Sequence, residues 1–430
     1  MLTDVHPASY YRASVQLPDP LPVLSGVVEA DVCIVGGGFT GINTAIELAE
    51  LGFSVVVLEG QRIGWGASGR NGGQLIRGVG HDLSQFQSVL GDDGVNQLYR
   101  LGLTAVDIVK QRIEQHHIAC DLRWGYADLA DRPQHMHGFA AERDALLSAG
   151  YNAPLRLIEK AGLADVVGSD VYLGALVDEG SGHLHPLKRI LGEAAVAQGL
   201  GVRCYEHSPA LEVHGGEKPF VRPALGRVNA KTVVVACNAY IGQLQPYLSH
   251  RVLPAGSYII ATERLSDAQQ AQLIPHNRAL CDQRIALDYF RLSADGRLLF
   301  GGACHYSGRD PQDISAYMRP KMLRVYPQLA DVKIDYAWGG MIGIGMNRLP
   351  QIGRLKHEPN LYYAQAYAGH GLNATHLAAQ LLGQTIAGQH RHGFDLFASV
   401  PHHAFPGGRL LRAPILALGM LWLRFLEWKG

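Results

Sequence analysis

Three glycines at regular spacing could hold a phosphate-bearing ligand against the backbone. They form the pattern Gly36-x-Gly38-x-x-Gly41. In such a pattern the first glycine allows a tight turn, the second lets a pyrophosphate approach the backbone, and the third lets a helix pack closely on a strand. Free N–H groups at the start of that helix favour negative charge. Glu59 follows 18 residues after Gly41 and could accept hydrogen bonds from a ribose diol.

A second glycine-rich stretch, "GWGASGRNGGQLIRG", covers residues 64–78 and contains six glycines. So many glycines are costly in backbone entropy, and they are tolerated where the backbone must lie close to another group. We interpret the stretch as a loop that covers the same ligand, with Ala67 and Ser68 near the phosphates and Gly72 and Gly73 beneath a flat ring. The predicted contacts from this loop also include Arg70, Asn71 and Gln74.

The elements around the first glycine pattern are those of a dinucleotide-binding unit. Asp31 to Val35 reads as a buried strand, and the apolar spacing after Gly41 predicts a helix that ends at Gly52. Residues 54–58 then form a second strand that ends at Glu59. The strand, glycine turn, helix and second strand therefore follow one another in the order and at the spacing of a dinucleotide-binding unit. This agreement makes the dinucleotide interpretation specific.

The sequence resembles the D-amino-acid-oxidase-type flavoproteins, a group that includes glycine oxidase, sarcosine oxidase and γ-glutamylputrescine oxidoreductase. The likeness runs from Ser9 nearly to the C-terminus and is strongest to the γ-glutamylputrescine oxidoreductase and L-pipecolate oxidase branch. The motifs that carry it are "IGWGASGRNGGQ", "GSGHLHP", "LDYFRLSADGRLLFGG", "NRLPQIGR", "AGHGLN" and "FPGGRLLRAP".

This resemblance implies an FAD cofactor and several further contacts to it. It places the backbone of Cys237 and Asn238 beside the cofactor. It also places a helix that begins near Leu372 with its N-terminus toward the flavin pyrimidine, where a positive helix end stabilises the charge of reduced flavin. His370 would lie near the flavin, and the same turn adds further predicted contacts from Gly369, Gly371 and Asn373. Residues 339–346 contain no cysteine for covalent attachment, so non-covalent FAD is expected.

Arg77 is the predicted substrate-binding residue. In sarcosine-oxidase-like members an arginine at this offset from the loop pairs with the substrate carboxylate, and a guanidinium matches a carboxylate with two parallel hydrogen bonds. The alternatives are a surface arginine or one paired with Asp82. We assign Arg77 and His370 as the candidate catalytic residues.

The expected reaction is oxidation of a C–N bond, with hydride transfer from the amine-bearing carbon to FAD and formation of an imine. Arg77 favours a cyclic amino acid such as L-pipecolate, a substrate of lysine catabolism, whereas the overall likeness favours γ-glutamylputrescine. Either O₂ or a membrane quinone could reoxidise the flavin. An NAD-linked dehydrogenase and a flavin-retaining scaffold without turnover are the other classes considered.

The predicted fold combines α/β and α+β: a Rossmann-like FAD-binding lobe interleaved with a mainly antiparallel β-sheet substrate lobe. The FAD-binding lobe is assigned residues 29–110, 181–245 and 341–400, and the substrate lobe residues 111–180 and 246–340. Residues 401–430 form a separate C-terminal apolar helix. The run "LDYFRLSADGRLLFGG" predicts a hairpin around Asp295-Gly296.

The composition excludes some classes of partner. The formal net charge is zero, which gives no electrostatic footprint for nucleic acid. The six cysteines are scattered and the N-terminus is polar, so we expect a cytoplasmic protein without disulfides. His183 and His185 have the spacing of metal ligands but no third partner, and ordinary polar packing is preferred over a metal site.

The C-terminus carries an uncharged run from Ala413 to Leu423. Eleven helical residues span about 16 Å, well short of the ~30 Å hydrocarbon core of a bilayer. The segment is therefore predicted to dock on its own protein, to lie between subunits, or to bind the inner face of the membrane peripherally. In the last case the aromatic residues Trp422, Phe425 and Trp428 would lie at headgroup depth, with Arg409, Arg412, Arg424 and Lys429 toward anionic lipid.

Overall fold

The structure is a computed structural model that describes residues 6–284, 287–305 and 310–408, together with residues 411 and 414. Its strands form three sheets. In chain order they are β1 (Gly26–Glu29), β2 (Val32–Val35), β3 (Val55–Leu58), β4 (Gln74–Leu75), β5 (Arg123–Ala130), β6 (Leu155–Glu159), β7 (Gly174–His183), β8 (Arg203–Tyr205), β9 (Glu212–His214), β10 (Phe220–Arg222), β11 (Gly226–Asn229), β12 (Thr232–Val235), β13 (Leu253–Arg264), β14 (Ala279–Asp282), β15 (Asp288–Leu292), β16 (Arg297–His305), β17 (Ile334–Ile344), β18 (Gln351–Leu355) and β19 (Glu358–Gln365).

The α-helices of the described residues lie between these strands and after the last one. They are α1 (Tyr10–Ala13), α2 (Phe39–Glu50), α3 (Gln87–Gln115), α4 (Pro133–Ser148), α5 (Pro186–Gly199), α6 (Pro246–Ser249), α7 (Asp267–Leu273), α8 (Ile314–Val325), α9 (Gly371–Ile386) and α10 (His392–Ser399). The predicted helix after the first glycine pattern is thus α2, and the one predicted near Leu372 is α9.

A six-stranded sheet in the order β18-β19-β12-β2-β3-β8 forms the core of the first lobe. All of its neighbouring pairs are parallel except β18 with β19. The central strands β2 and β3 are buried along their whole length, as expected when helices cover both faces of a parallel sheet. This arrangement confirms the predicted Rossmann-like lobe and its β-α-β unit.

A nine-stranded sheet forms the second lobe. Its main path is β17-β13-β16-β15-β14-β5-β7-β4, and β6 pairs with β7 beside that path. Every pair is antiparallel except β14 with β5. The predicted hairpin is β15 and β16, which pair antiparallel around Asp295-Gly296. The mainly antiparallel character predicted for this lobe is therefore confirmed.

The sequence patterns did not reveal a small third sheet, which has the order β1-β11-β10-β9. Its strands have only three or four residues each. Such short strands are hard to distinguish from loops by periodicity, because they offer at most two alternations of inward and outward side chains.

Several predicted segment boundaries fall inside continuous elements. The boundary at 110/111 lies within α3, the one at 180/181 within β7, and the one at 340/341 within β17. β7 and β17 are strands of the nine-stranded sheet, so two of these boundaries divide single strands of the second lobe. The predicted C-terminal helix lies outside the described residues apart from 401–408, 411 and 414. In the part of the chain that is described, no helix is both long and apolar enough to cross a membrane.

Candidate functional site

The carboxyl ends of the parallel strands β2, β3, β12 and β19 meet at one edge of the six-stranded sheet. Two hydrogen bonds link the segments that follow these strands. The Gly37 N–H donates to Glu59 Oε2 at 2.7 Å, and the Ala366 N–H donates to Asn238 Oδ1 at 2.8 Å. Ligands of open α/β sheets bind at this kind of edge. The structure therefore brings together site residues that the sequence places in separate stretches.

The three glycines of the first pattern have neighbours that leave no room for a side chain. Gly36 has a φ of +113°, and a Cβ there would lie 2.7 Å from the Ala236 carbonyl oxygen. A Cβ at Gly41 would lie 1.9 Å from the Gly36 carbonyl oxygen. A Cβ at Gly38 would lie 2.8 Å from Ser68 Oγ. A side chain at any of these three positions would therefore meet a close neighbour, and the approach of a pyrophosphate at Gly38 stays a prediction.

Helix α2 begins at this edge without a side-chain cap. Its N-cap residue is Gly38, which offers no side-chain acceptor to the first turn. The Phe39 N–H donates to Ser68 Oγ at 2.9 Å. Apart from the Phe39 N–H, the N–H groups of the first turn have no side-chain cap, and the positive end of this 12-residue helix faces the glycine turn, an arrangement that suits a phosphate.

Glu59 lies at the end of β3 with both carboxylate oxygens bonded to backbone. Oε2 accepts from Gly37, as above, and Oε1 accepts from the Gln61 N–H at 2.8 Å. Burial raises the pKa of this carboxyl group, and the two backbone donors partly oppose that shift. Glu59 therefore holds the glycine turn in place, and its contact to a ribose stays a prediction.

The second glycine stretch folds on itself through Asn71. The Asn71 side-chain amide donates to the carbonyl oxygens of Ala67 and Ser68, and its Oδ1 accepts from the Gly73 N–H at 2.8 Å. A Cβ at Gly72 would lie 2.5 Å from the Tyr289 ring. One face of the loop is thus packed on the nine-stranded sheet, so a flat ring at this loop would have to lie on the other face.

Arg70 and Gln74 use their side chains for protein contacts. The Arg70 guanidinium lies 4.3 Å from the centre of the Trp65 ring and donates to Tyr240 Oη at 3.1 Å. Gln74 Nε2 donates to the Leu280 carbonyl oxygen at 3.0 Å. Their predicted cofactor contacts stay predictions. Because the side chains bond to protein groups, backbone atoms would have to form most of these contacts.

The turn before α9 has an unusual backbone. Ala366, Ala368 and Gly369 have φ values of +63°, +52° and +86°, and two of these residues are not glycine. Left-handed conformations at non-glycine residues are costly and cluster at functional sites. Asn238 at the neighbouring strand end also has a positive φ, of +46°. Cys237 beside it donates its thiol to the Val35 carbonyl oxygen at 3.5 Å.

The start of α9 lies against the end of the second glycine stretch. The His370 Nε2 contacts the Ile76 carbonyl oxygen at 3.3 Å, and Asn373 Nδ2 donates to the Gly78 carbonyl oxygen at 2.8 Å. Burial lowers the pKa of His370, so its imidazole is neutral at pH 7 and Nε2 carries the proton that the carbonyl accepts. Gly371 and Leu372 form the first turn of the helix.

In the structure Arg77 is bonded to three carboxylates of the chain itself. Its Nη1 donates to Asp178 Oδ2 at 2.9 Å, and its Nη2 donates to Asp128 Oδ2 at 3.2 Å and Glu142 Oε1 at 2.7 Å. Its side chain is only 4% exposed. It is therefore neither a surface arginine nor a partner of Asp82. Because carboxylates of the chain itself occupy both terminal nitrogens, the structure does not show a free clamp for a substrate carboxylate.

Sequence patterns did not identify the carboxylates around Arg77. Tyr126 and Asp128 project from the same face of β5, and Tyr126 Oη donates to Asp128 Oδ1 at 2.8 Å. Gln283 Nε2 donates to the same oxygen at 3.0 Å. Burial raises the pKa of Asp128 to about 6, although the nearby Arg77 charge opposes the shift. The only local signal was a tyrosine and an aspartate two positions apart, in a segment for which no strand was predicted.

His183 and His185 each bond to protein groups. His183 Nε2 lies 2.8 Å from the Asn277 carbonyl oxygen. His185 Nδ1 accepts from the Lys188 N–H at 3.1 Å and caps α5. Among the residues that the structure describes, no group of three or more histidine, cysteine, aspartate or glutamate side chains could hold a metal ion.

The first lobe has a parallel sheet with a glycine turn and an acidic strand end. A second sheet lies across the glycine-rich loop. This combination is typical of dinucleotide-dependent oxidoreductases. Comparison with known proteins makes this class specific. The chain belongs to the FAD dependent oxidoreductase family DAO, whose model matches residues 31–385. The enzyme is accordingly an FAD-dependent oxidoreductase of the kind that acts on amines or amino acids.

Two curated relatives match the chain over nearly its full length. Gamma-glutamylputrescine oxidoreductase of Escherichia coli (strain K12) is 42% identical over 415 residues, which cover 96% of both chains. A probable oxidoreductase, OrdL, of Haemophilus influenzae is 39% identical and covers 98% of this chain and 97% of its own. Among solved structures, glycine oxidase from Geobacillus kaustophilus has a TM-score of 0.73 at 19% identity, covering 88% of this chain and 100% of its own.

The residues of the edge fit FAD. The uncapped start of α2 and the close approach at Gly38 suit its pyrophosphate, and Glu59 offers a carboxylate at the position where this class of site holds a ribose. The start of α9 supplies a second positive helix end near the glycine loop. The individual cofactor contacts of Ala67, Ser68, Asn71 and the α9 turn stay predictions.

Proposed function

We propose that the enzyme oxidises the terminal primary amine of γ-glutamylputrescine or a close analogue. One observation carries this proposal: 42% identity to a gamma-glutamylputrescine oxidoreductase across 96% of both chains. The relationship spans both lobes, so it includes the substrate sheet as well as the cofactor-binding edge. The comparisons do not support L-pipecolate, which depended on Arg77 alone.

The charges around Arg77 favour the same choice. Three carboxylates, from Asp128, Asp178 and Glu142, contact this one guanidinium. The cluster therefore has a surplus of negative charge at pH 7, because Asp128 is largely ionised one pH unit above its raised pKa of about 6. Such a cluster attracts a cation and repels a carboxylate. γ-Glutamylputrescine carries two ammonium groups and one carboxylate, whereas L-pipecolate carries one of each, so the additional cation of γ-glutamylputrescine suits this preference better.

The two ends of the proposed substrate need different surroundings. An amine donates hydride only when its nitrogen is neutral, and apolar surroundings disfavour the ammonium form. Ile76, Tyr126, Cys281 and Tyr289 pack together on the face of the nine-stranded sheet next to the glycine loop. We assign the reacting amine to this apolar cluster and the ammonium group of the glutamyl end to the exposed side of the carboxylate cluster, at Glu142.

The protein's part in the reaction is to bind and orient. When bound, FAD accepts the hydride from the amine-bearing carbon, which leaves an imine that water converts to an aldehyde and ammonia. The edge residues would hold the cofactor, and the neutral His370 fixes the Ile76 backbone through its hydrogen bond. The described residues around the loop provide position and electrostatics for this chemistry.

Anaerobic titration of the purified yellow protein tests the proposal. The panel contains γ-glutamylputrescine, putrescine, L-pipecolate, L-proline, sarcosine and glycine, and the flavin absorbance is followed after each addition. We expect γ-glutamylputrescine to bleach the flavin at stoichiometric concentration, and L-pipecolate, L-proline, sarcosine and glycine to leave it oxidised. Bleaching by L-pipecolate with none by γ-glutamylputrescine would overturn the proposal.

A further inference from the structure

A fully buried ion pair lies between the two helices whose first turns face the cofactor edge. Arg189 and Glu193 are one turn apart on α5, and Arg189 Nε donates to Glu193 Oε1 at 2.9 Å. Both side chains are 0% exposed. A buried charge pair of this kind adds little to stability compared with apolar packing, but it can fix one arrangement of the elements around it.

The pair is bonded to the first turns of α9. Arg189 Nη1 donates to the Leu372 carbonyl oxygen at 3.3 Å, and Nη2 contacts the His376 ring. His376 Nε2 donates to Glu193 Oε1 at 2.7 Å. Burial lowers the pKa of His376 to about 4, so the ring is neutral and has one proton to donate. Among the described residues that bond to Glu193, the Arg189 guanidinium is therefore the only cation.

The same pair is bonded to the first turns of α2. Asn43 Nδ2 donates to Glu193 Oε2 at 2.9 Å and to the Phe39 carbonyl oxygen at 2.9 Å. The Arg189 guanidinium lies 4.7 Å from the centre of the Phe39 ring. Phe39 and Asn43 lie within five residues of the uncapped helix start. One ion pair thus contacts the beginnings of both helices.

A direct bond joins the two helix starts on their other side. Thr40 Oγ1 and Tyr367 Oη lie 2.7 Å apart, in the first turn of α2 and the turn before α9. The spacing of the two helix N-termini is therefore fixed at two independent points. Each N-terminus carries partial positive charge that decays within one turn, so its effect on a bound anion depends strongly on position.

We propose that Arg189 and Glu193 act as a positioning pair that sets FAD affinity and flavin redox potential by fixing the N-termini of α2 and α9. The proposal rests on the FAD dependence of the family and on the predicted location of the α9 start beside the flavin, and it is independent of the substrate. Loosening α9 should weaken binding of reduced FAD more than of oxidised FAD, because reduced flavin carries the extra negative charge.

The test compares two double variants that each remove one ion pair packed against α2, either the pair within α5 or a pair between α2 and α3. Arg189→Met/Glu193→Leu removes the positioning pair. Arg112→Met/Glu47→Leu is the matched control, because Arg112 is 6% exposed and bonds α3 to the opposite end of α2. For each protein, FAD is titrated into apoprotein, the midpoint potential is measured with a reference dye, and the melting temperature of the apoprotein is recorded.

We expect the Arg189/Glu193 variant to bind oxidised FAD at least tenfold more weakly, and reduced FAD a further tenfold more weakly. That second factor lowers the midpoint potential by about 30 mV for a two-electron couple. The control should change both dissociation constants less than threefold. Unchanged affinity and potential in the first variant, or equal shifts in the control, would overturn the proposal.

Arg189→Lys provides the same test if the double variant does not fold. An ammonium keeps the charge beside Glu193 but cannot reach the Leu372 carbonyl and the His376 ring with one planar group. We expect an apoprotein melting temperature near that of the wild type, together with a lowered flavin potential. A wild-type potential in this folded variant would contradict the positioning role. No substrate is used, so the result does not depend on the proposed function.

Discussion

The Arg77 guanidinium and the Asp178 carboxylate lie 2.9 Å apart, with side chains that are 4% and 0% exposed. Asp178 also accepts hydrogen bonds from Ser181 Oγ and from Tyr151 Oη. The chain that leaves the glycine-rich loop is thereby bonded to strand β7 of the substrate sheet. This pair links the glycine-rich loop to the substrate lobe. The arginine thereby bonds to carboxylates of the protein itself.

Removal of this arginine should affect stability before it affects specificity. Arg77→Met leaves three carboxylates without their cation, and we expect a loss of about 3–5 kcal/mol in the free energy of unfolding. Urea denaturation measures that loss. The control is Arg143→Met, which removes an exposed pair with Asp144 and should cost about 0–1 kcal/mol. A stable Arg77→Met protein that lost activity toward L-pipecolate but kept it toward γ-glutamylputrescine would restore the carboxylate-clamp hypothesis.

Replacement of Gly38 should remove the cofactor. The new side chain of Gly38→Val would meet Ser68 Oγ and occupy the space through which the pyrophosphate approaches. We expect a folded protein with little bound FAD. The flavin content is measured as the ratio of the visible flavin absorbance to the protein absorbance in the ultraviolet. Gly138→Val in α4 is the control, since nothing lies within 4 Å of its Cβ position. Full flavin content in Gly38→Val would contradict the location of the phosphate.

Asp128 should make stability depend on pH. Its pKa is raised by burial from 3.8 to about 6, so between these values the folded protein binds more protons than the unfolded chain. The free energy of unfolding contributed by this group therefore falls as pH rises through that window. Relative to Asp128→Asn, the wild type should lose stability from pH 4 to pH 6, as measured by denaturant titration at each pH. A constant difference across that range would contradict the raised pKa.

The C-terminal segment is predicted to contact either the protein or a membrane surface. Deletion of residues 409–430 distinguishes these locations, by sedimentation with anionic vesicles and by thermal unfolding. Loss of vesicle binding with unchanged stability is expected if the segment lies at the membrane, where quinone could accept the electrons. A large fall in stability, with no vesicle binding by the full chain, would exclude the membrane location.

Sequence patterns were sufficient to predict the strand–turn–helix unit at the edge of the first sheet. The residues that this unit requires lie close together in the chain. Gly36, Gly38 and Gly41 have fixed spacing within one strand–turn–helix unit, and the strands beside them are buried apolar runs. The same local logic located the hairpin of β15 and β16. Each of these elements can be recognised from residues close together in the chain.

The surroundings of Arg77 could not be predicted in this way. Its partners Asp128, Glu142 and Asp178 are 51, 65 and 101 residues away in sequence. They meet it only after β5, α4 and β7 have assembled. The bonds of Arg189 to Leu372 and His376, more than 180 residues away, are equally invisible in a single sequence. Tertiary packing determines whether a buried arginine is available to a substrate.

The most direct measurement is the limiting rate of anaerobic flavin reduction with γ-glutamylputrescine and with L-pipecolate, followed in a stopped-flow spectrophotometer. The account predicts saturable reduction by γ-glutamylputrescine at least a hundredfold faster than by L-pipecolate, with release of one ammonia per flavin reduced. Faster reduction by L-pipecolate, or flavin reduction by γ-glutamylputrescine without ammonia, would contradict oxidation of a terminal amine by this enzyme.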